Sequence, residues 1–325
     1  MFRTPLLVLI VAWGCGLSAS IEAVSLTDFA NVRREGKQVE FAGNIAGSDD
    51  ISGVTAVGEF LVIVSDEAKN PTVVQVLKKE GAGYRTFTNV ELPVEGEADL
   101  EAVAADRNVI YVTGSHAWTR KIDDAAIKAP ERKKSREQFF RFELSATGEP
   151  GPVEGPKSLR PALKADPVLN GFLEIASKEN GIDIEGLAVK DGQMYFGFRG
   201  PVLRDGWVPV LVTTWENAET IDVRYVQLDG RGIRDIAAVE TGFLILAGPV
   251  GDGDTSYRVY YWSGADQLTG GLAAKPQRMA ELSDLGEGKP EGLAVLSAQG
   301  RKYRVLIVFD GLPRGEATAW ALSRP

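Results

Sequence analysis

The sequence predicts an all-β fold, a β-propeller of five blades, on three observations. One motif recurs five times: an acidic or hydroxyl residue, small residues, then an apolar run, as in "IDIEGLAVKDGQMYFGFRG" and "KPEGLAVLSAQGRKYRVLIVFDG". Within each copy a tight turn such as "KDG" or "ETG" separates two runs, the second more hydrophobic, which is the pattern of a β-hairpin. The runs are nearly continuous rather than alternating. That suits strands covered on both faces, and in a propeller each blade is packed between two others.

The elements follow in order. Residues 1–20 carry Arg3, an apolar Leu6 to Leu17 run, and small residues at Ser18, Ala19 and Ser20. This is the layout of a secretory leader, too short and wrongly flanked for a spanning helix. It predicts a periplasmic or extracellular protein with no transmembrane span in the mature chain. Cys15, the sole cysteine, lies inside the leader, and a lipid anchor on it is the alternative. Losing the leader with Arg3 takes the net charge from −9 to −10 and leaves no cysteine for a disulfide.

Next, "GKQVEFAGNI" (36–45) reads as a strand without a hairpin partner. The five motifs then align on Ser52, Glu101, Glu185, Asp235 and Glu291, with spacings of 49, 84, 50 and 56 residues. A blade occupies about 40–50 residues, so only the long gap asks for an insertion. Its stretch "SLRPALKADPVLNGFLEIASKENG" reads as a loop with a short helix, with six blades as the alternative count. The polar run from Lys121 to Gln138 reads as an exposed loop or short helix of blade two. After "RVLIVFDG" the last unit is one strand short. The N-terminal strand is expected to complete it and close the ring, which removes exposed sheet edges. The expectation is one propeller domain over residues 36–325, as a monomer.

Blade geometry then gives the acids a common address. First strands begin, and second strands end, at the same face of the disc. Asp99, Glu101, Asp183, Glu185, Asp235 and Glu291 should therefore meet at one mouth of the central channel. Asp66, His116, Arg199 and Asp310, at second-strand ends, and Arg120 and Arg204 in the loops beyond, are expected beside them. Clustered carboxylates resist ionisation unless a cation, guanidinium groups or amides offset them. A hard oxygen donor set suits Ca²⁺, so the six inner acids are the expected metal ligands. His116, Arg120, Arg199, Arg204 and Asp310 are the expected contacts to a small anionic molecule. Any one of these acids can equally serve as an acceptor for backbone amides in the adjacent turn or blade. "GDGD" at 251–254 reads mostly as a turn.

Several chemistries are excluded. With 45 acidic against 36 basic residues, nucleic acid is not an expected partner. A single histidine rules out a His-rich metal site. No Gly-rich phosphate loop occurs.

The ordered motifs "DLEAVAAD", "DIEGLAV", "GIRDIAAV" and "PEGLAVL", each with its second strand, resemble the bacterial domain of unknown function 3616. The opening "D-x-E-G-L-A" is also similar to that of propeller phytases, esterase-like phytase relatives and calcium-dependent lactonases. That resemblance implies Ca²⁺ at the acids of the channel mouth. Two functions follow as expectations: a binding propeller whose acid-lined face takes a ligand or protein partner through Ca²⁺, or a calcium-dependent hydrolase of phosphoesters or related esters.

Overall fold

The computed structural model describes residues 32–67, 71–120, 122–123, 126–251, 253, 255–283 and 285–325. The expected leader and Cys15 lie outside these residues, as do Asp252 and Asp254. No helix among the described residues is long and apolar enough to cross a membrane.

Nearly continuous apolar strands bury both faces only when sheets stack around an axis, and the chain does this five times. Blade one holds Ile51–Val57, Phe60–Ser65, Val73–Glu80 and Gly83–Glu91; blade two holds Leu100–Asp106, Val109–Gly114, Phe139–Glu143 and Glu154–Lys157. Blade three is Asp183–Lys190, Gln193–Gly200, Trp207–Thr214 and Asp222–Gln227; blade four is Gly232–Val239, Gly242–Gly248, Tyr257–Trp262 and Gln277–Leu282. Blade five is Lys289–Gln299, Lys302–Asp310, Thr318–Ser323 and, from the other end of the chain, Val32–Gln38. Each first strand touches the first strands of both neighbouring blades, and those of blades five and one meet, so the ring is closed.

The core confirms this division. It comprises five apolar clusters, each filling one gap between adjacent blades. Phe139 of blade two, for example, packs edge-on against Phe196 of blade three. Ile51 and Leu61 of blade one pack with Leu306 and Val308 of blade five.

The closing strand lies earlier than the sequence suggested. Val32–Gln38 pairs antiparallel with Thr318–Ser323, with Val32 opposite Leu322. Phe41–Ala42, expected in the same strand, instead pairs in parallel with Gly83–Glu91 and extends blade one. The 84-residue spacing is filled as expected, by one short helix, Arg160–Ala165, and single turns at Leu169–Phe172 and Ser177–Glu179. The polar run after Thr119 differs from the expected loop. It folds back as a narrow ribbon, Trp118–Thr119 against Glu131–Arg132, followed by one turn at Lys134–Arg136.

Candidate functional site

All five first hairpins carry a register shift at the same level, two residues of one strand facing one of its partner. The residues set in these bulges are Ser52, Glu101, Glu185, Arg234 and Glu291. A bulge bends its strand and re-aims the extra side chain. Here it turns one side chain per blade toward the axis. The next residue is glycine in three blades because the neighbouring strand leaves no room: a Cβ on Gly292 would lie 2.9 Å from Val54 N.

The bulges correct the sequence alignment in blade four. Arg234, not Asp235, is the axial residue. Asp235 lies one position on, buried, accepting hydrogen bonds from Ile236 N at 2.7 Å and Leu293 N at 2.6 Å. Burial pushes its carboxyl well up, and the amides oppose that. It serves the backbone and is not among the residues lining the cavity.

The axial ring therefore reads Ser, Glu, Glu, Arg, Glu. Arg234, 4% exposed at its side chain, sits between two acids and pairs with both: Glu185 at 2.9 Å and Glu291. Arg199, at the end of the second strand of blade three, pairs with Asp183 and with Glu185 at 2.7 Å. Arg136 pairs with Glu97 and with Asp99 at 2.7 Å, and Ser115 Oγ donates to Asp99 as well. Glu101 makes no ion pair among the described residues, although Arg199 lies near enough to feel its charge. On one side stands Ser52, whose Oγ donates to Leu100 O at 2.5 Å; on the other stands Glu185, already paired.

Above this ring lies a cavity of about 640 Å³, lined by acids from blades one, two, three and five. Among the described residues its lining holds eight carboxyl groups against five cationic side chains. Single carboxylate oxygens of Asp66, Asp99 and Glu101 lie within 4.8 Å of one another; so do those of Glu101, Asp183 and Glu185. Burial, then Asp99, Asp310 and other acids, pushes Asp66 up to about 7. Burial, then Asp99, Glu185 and Asp66, pushes Glu101 well above the usual range. Burial raises Asp99 to about 6 against the pull of Arg136. It raises Glu185 to about 7 against Arg199 and Arg234. Asp66 Oδ1 is buried with no hydrogen-bond partner.

Of the expected ligands, Asp99, Glu101, Asp183, Glu185 and Glu291 line the cavity with Arg199 and Asp310. Arg120, Arg204 and His116 do not. Arg120 is bound to Glu179 and to Lys128 O at 2.6 Å. Arg204 is exposed in the turn Arg204–Gly206. His116, at φ 57°, is 2% exposed. Its Nδ1 faces Gly114 O at 3.1 Å, so Nδ1–H donates and Nε2 accepts from Leu159 N at 3.2 Å. Burial lowers its pKa to about 4, so it is a neutral structural histidine tying the insertion to blade two.

The opposite mouth differs. A dimple of about 100 Å³ is lined by three residues from each first strand, all Val, Thr, Ala, Leu or Ile. No charged side chain lines the axis at this end, so along the axis charge gathers at the acid mouth.

Fold and mouth together define a class, a five-bladed β-propeller with a charged axial cavity at one face. The chain belongs to the family described as Protein of unknown function (DUF3616), which matches residues 50–143 and 152–318. None of the curated proteins matches it. Among solved structures it is similar to 1,3Gal43A, an exo-β-1,3-galactanase of Clostridium thermocellum, at 11% identity, covering 90% of this chain and 62% of that one, with a TM-score of 0.49. The exo-β-1,3-galactanase of Phanerochaete chrysosporium solved with β-1,3-galactotriose gives 9%, 91%, 67% and 0.47. The WD40 β-propeller domain of Doa1 gives 13%, 85%, 69% and 0.34. This chain spans about two thirds of the length of each. Likenesses this distant bear on nothing beyond fold.

Proposed function

We propose that the protein is a binding propeller whose axial cavity holds a hard divalent cation, Ca²⁺ by donor type, at Asp66, Asp99 and Glu101. One observation carries the reading. Asp183, Glu185 and Glu291, of blades three and five, have guanidinium partners and Asp310 has Lys289, whereas Asp66 and Glu101, in the sector of blades one and two, have no ion-pair partner among the described residues. Three acids this close stay protonated or need a positive charge. Carboxylate oxygens favour Ca²⁺ or Mg²⁺ over softer metals. Of the two acid triads, the one shared with Asp183 and Glu185 has Arg199 paired to two of its members, whereas in the other Arg136 reaches Asp99 alone. The cation then belongs to the other.

Bound there, Ca²⁺ would supply charge neutralisation and open coordination positions toward the cavity. Asp66, Asp99 and Glu101 would hold it, with Ser115 and Arg136 fixing the carboxylate of Asp99. The reading stays with binding rather than ester hydrolysis, because the remaining buried carboxylates, Asp183, Glu185 and Glu291, are assigned to guanidinium groups and Asp310 pairs with Lys289. The test is a thermal melt with Ca²⁺ and with chelator. Saturation at a hundredfold the dissociation constant stabilises by about 2.7 kcal/mol. Asp66→Asn and Glu101→Gln should abolish the shift while the proteins stay folded. No shift in the wild type at millimolar Ca²⁺ would sink the reading.

A further inference from the structure

Tyr257 opens the third strand of blade four and lines the cavity wall facing the proposed cation. Its ring packs against Gly248: a Cβ there would meet Tyr257 Cε1 at 2.4 Å and the Arg234 stem at 3.1 Å. Gly248 has no positive φ to require glycine, so the missing side chain makes room for the ring. The hydroxyl has no partner among the described residues, although burial raises its pKa amid the fields of Arg234, Glu185, Asp310 and Arg199. A free hydroxyl held over a polar cavity by a packed ring is a ligand contact awaiting its ligand.

We propose that this cavity receives a neutral, polyhydroxylated molecule of mono- to disaccharide size, with Tyr257 as its platform. The charge balance rests on the cation reading above. An anion is disfavoured twice. Carboxyl groups outnumber cationic ones in the lining, and a divalent cation does not reverse the excess. Each lining cation is also already engaged: Arg136, Arg199, Arg234 and Lys289 with acids, and Lys178 likewise not free. An ammonium ligand would compete for the carboxylates assigned to the cation. A hydroxyl both donates and accepts, adds no charge, and completes the coordination of a hard cation as water does. The volume of about 640 Å³ is of the size that takes small ligands.

The test is calorimetric titration of the full chain, with Ca²⁺ and with chelator. The probes are neutral mono- and disaccharides, glucuronate and galacturonate as anionic counterparts, and glucosamine as the cationic one. A neutral sugar should bind, and its uronate should bind at least about tenfold more weakly, since one added like charge nearby costs more than a tenfold factor. Tyr257→Phe removes the hydroxyl alone. It should weaken the sugar about tenfold and leave the Ca²⁺-induced melting shift unchanged. Uronates binding as well as neutral sugars, glucosamine winning, no sugar binding at all, or an unaffected Tyr257→Phe would each overturn the proposal. Absence of the Ca²⁺ shift would instead sink the cation reading, and the chelator series would still decide the ligand class.

Discussion

Arg234 is the residue whose removal the ring tolerates least. It belongs to blade four, and its guanidinium joins Glu185 of blade three to Glu291 of blade five. Its side chain and that of Glu185 are each 4% exposed, and that of Glu291 is 10%. Arg234→Met keeps the stem that packs on Gly248 and deletes the charge. Two buried carboxylates then lose a partner, which costs about 3–5 kcal/mol for a broken buried pair. Protonation limits the damage, because a neutral acid needs no counter-charge. The loss should therefore be largest at pH 8 and shrink toward pH 5. Adding Glu291→Gln should recover part of it, since the two sites share one interaction. Urea unfolding of the single and double variants at both pH values measures all of this. A loss below about 1 kcal/mol at pH 8, the scale of an exposed pair, would refute the account of Arg234 as a buried tie between three blades.

Other outcomes follow from the same site. Glu185, Asp66 and Asp99 have folded pKa values raised to about 7, about 7 and about 6, so the folded state binds more protons than the unfolded one between roughly pH 4 and 7. Without metal, stability should fall as pH rises through that window, by up to about 1.4 kcal/mol per unit for each such group. Saturating Ca²⁺ should flatten the slope; melting curves at pH 5 and 7.5, with and without it, decide the matter, and stability rising with pH in chelator would contradict the raised values. Asp235→Ala strands two buried amides and should cost about 1–3 kcal/mol for each by urea unfolding, without altering Ca²⁺ binding.

The propeller was legible because its strands advertise two buried faces and its hairpins recur in order. The mouth was legible in outline: a strand start near the axis gives Glu101, Glu185 and Glu291 one destination. Blade four defeated the alignment because "GIRDIAAV" offers an acid beside an arginine. Matching by residue type selected Asp235, whereas the bulge selects Arg234, and a shift of one residue exchanges axis for interior. Arg136 was missed because it sits in the basic run 132–136, which composition assigns to solvent; it is 8% exposed and reaches Asp99. Tyr257 carried one signal, the aromatic residue after a Gly-rich turn, but only contact with Gly248 gives it a role. His116, Arg120 and Arg204 were placed by proximity in sequence, which says nothing of where loops carry their side chains.

The strand Val32–Gln38 has a bearing on how the molecule comes to exist and how it is held. Blade five is assembled from both extremities of the chain, so the disc is shut only once Thr318–Ser323 has been delivered. Until then four blades wait on their last neighbour. Val32 also faces Leu322, at the end of that strand far from the acids. The described chain therefore enters the disc at the end of blade five opposite the acid cavity.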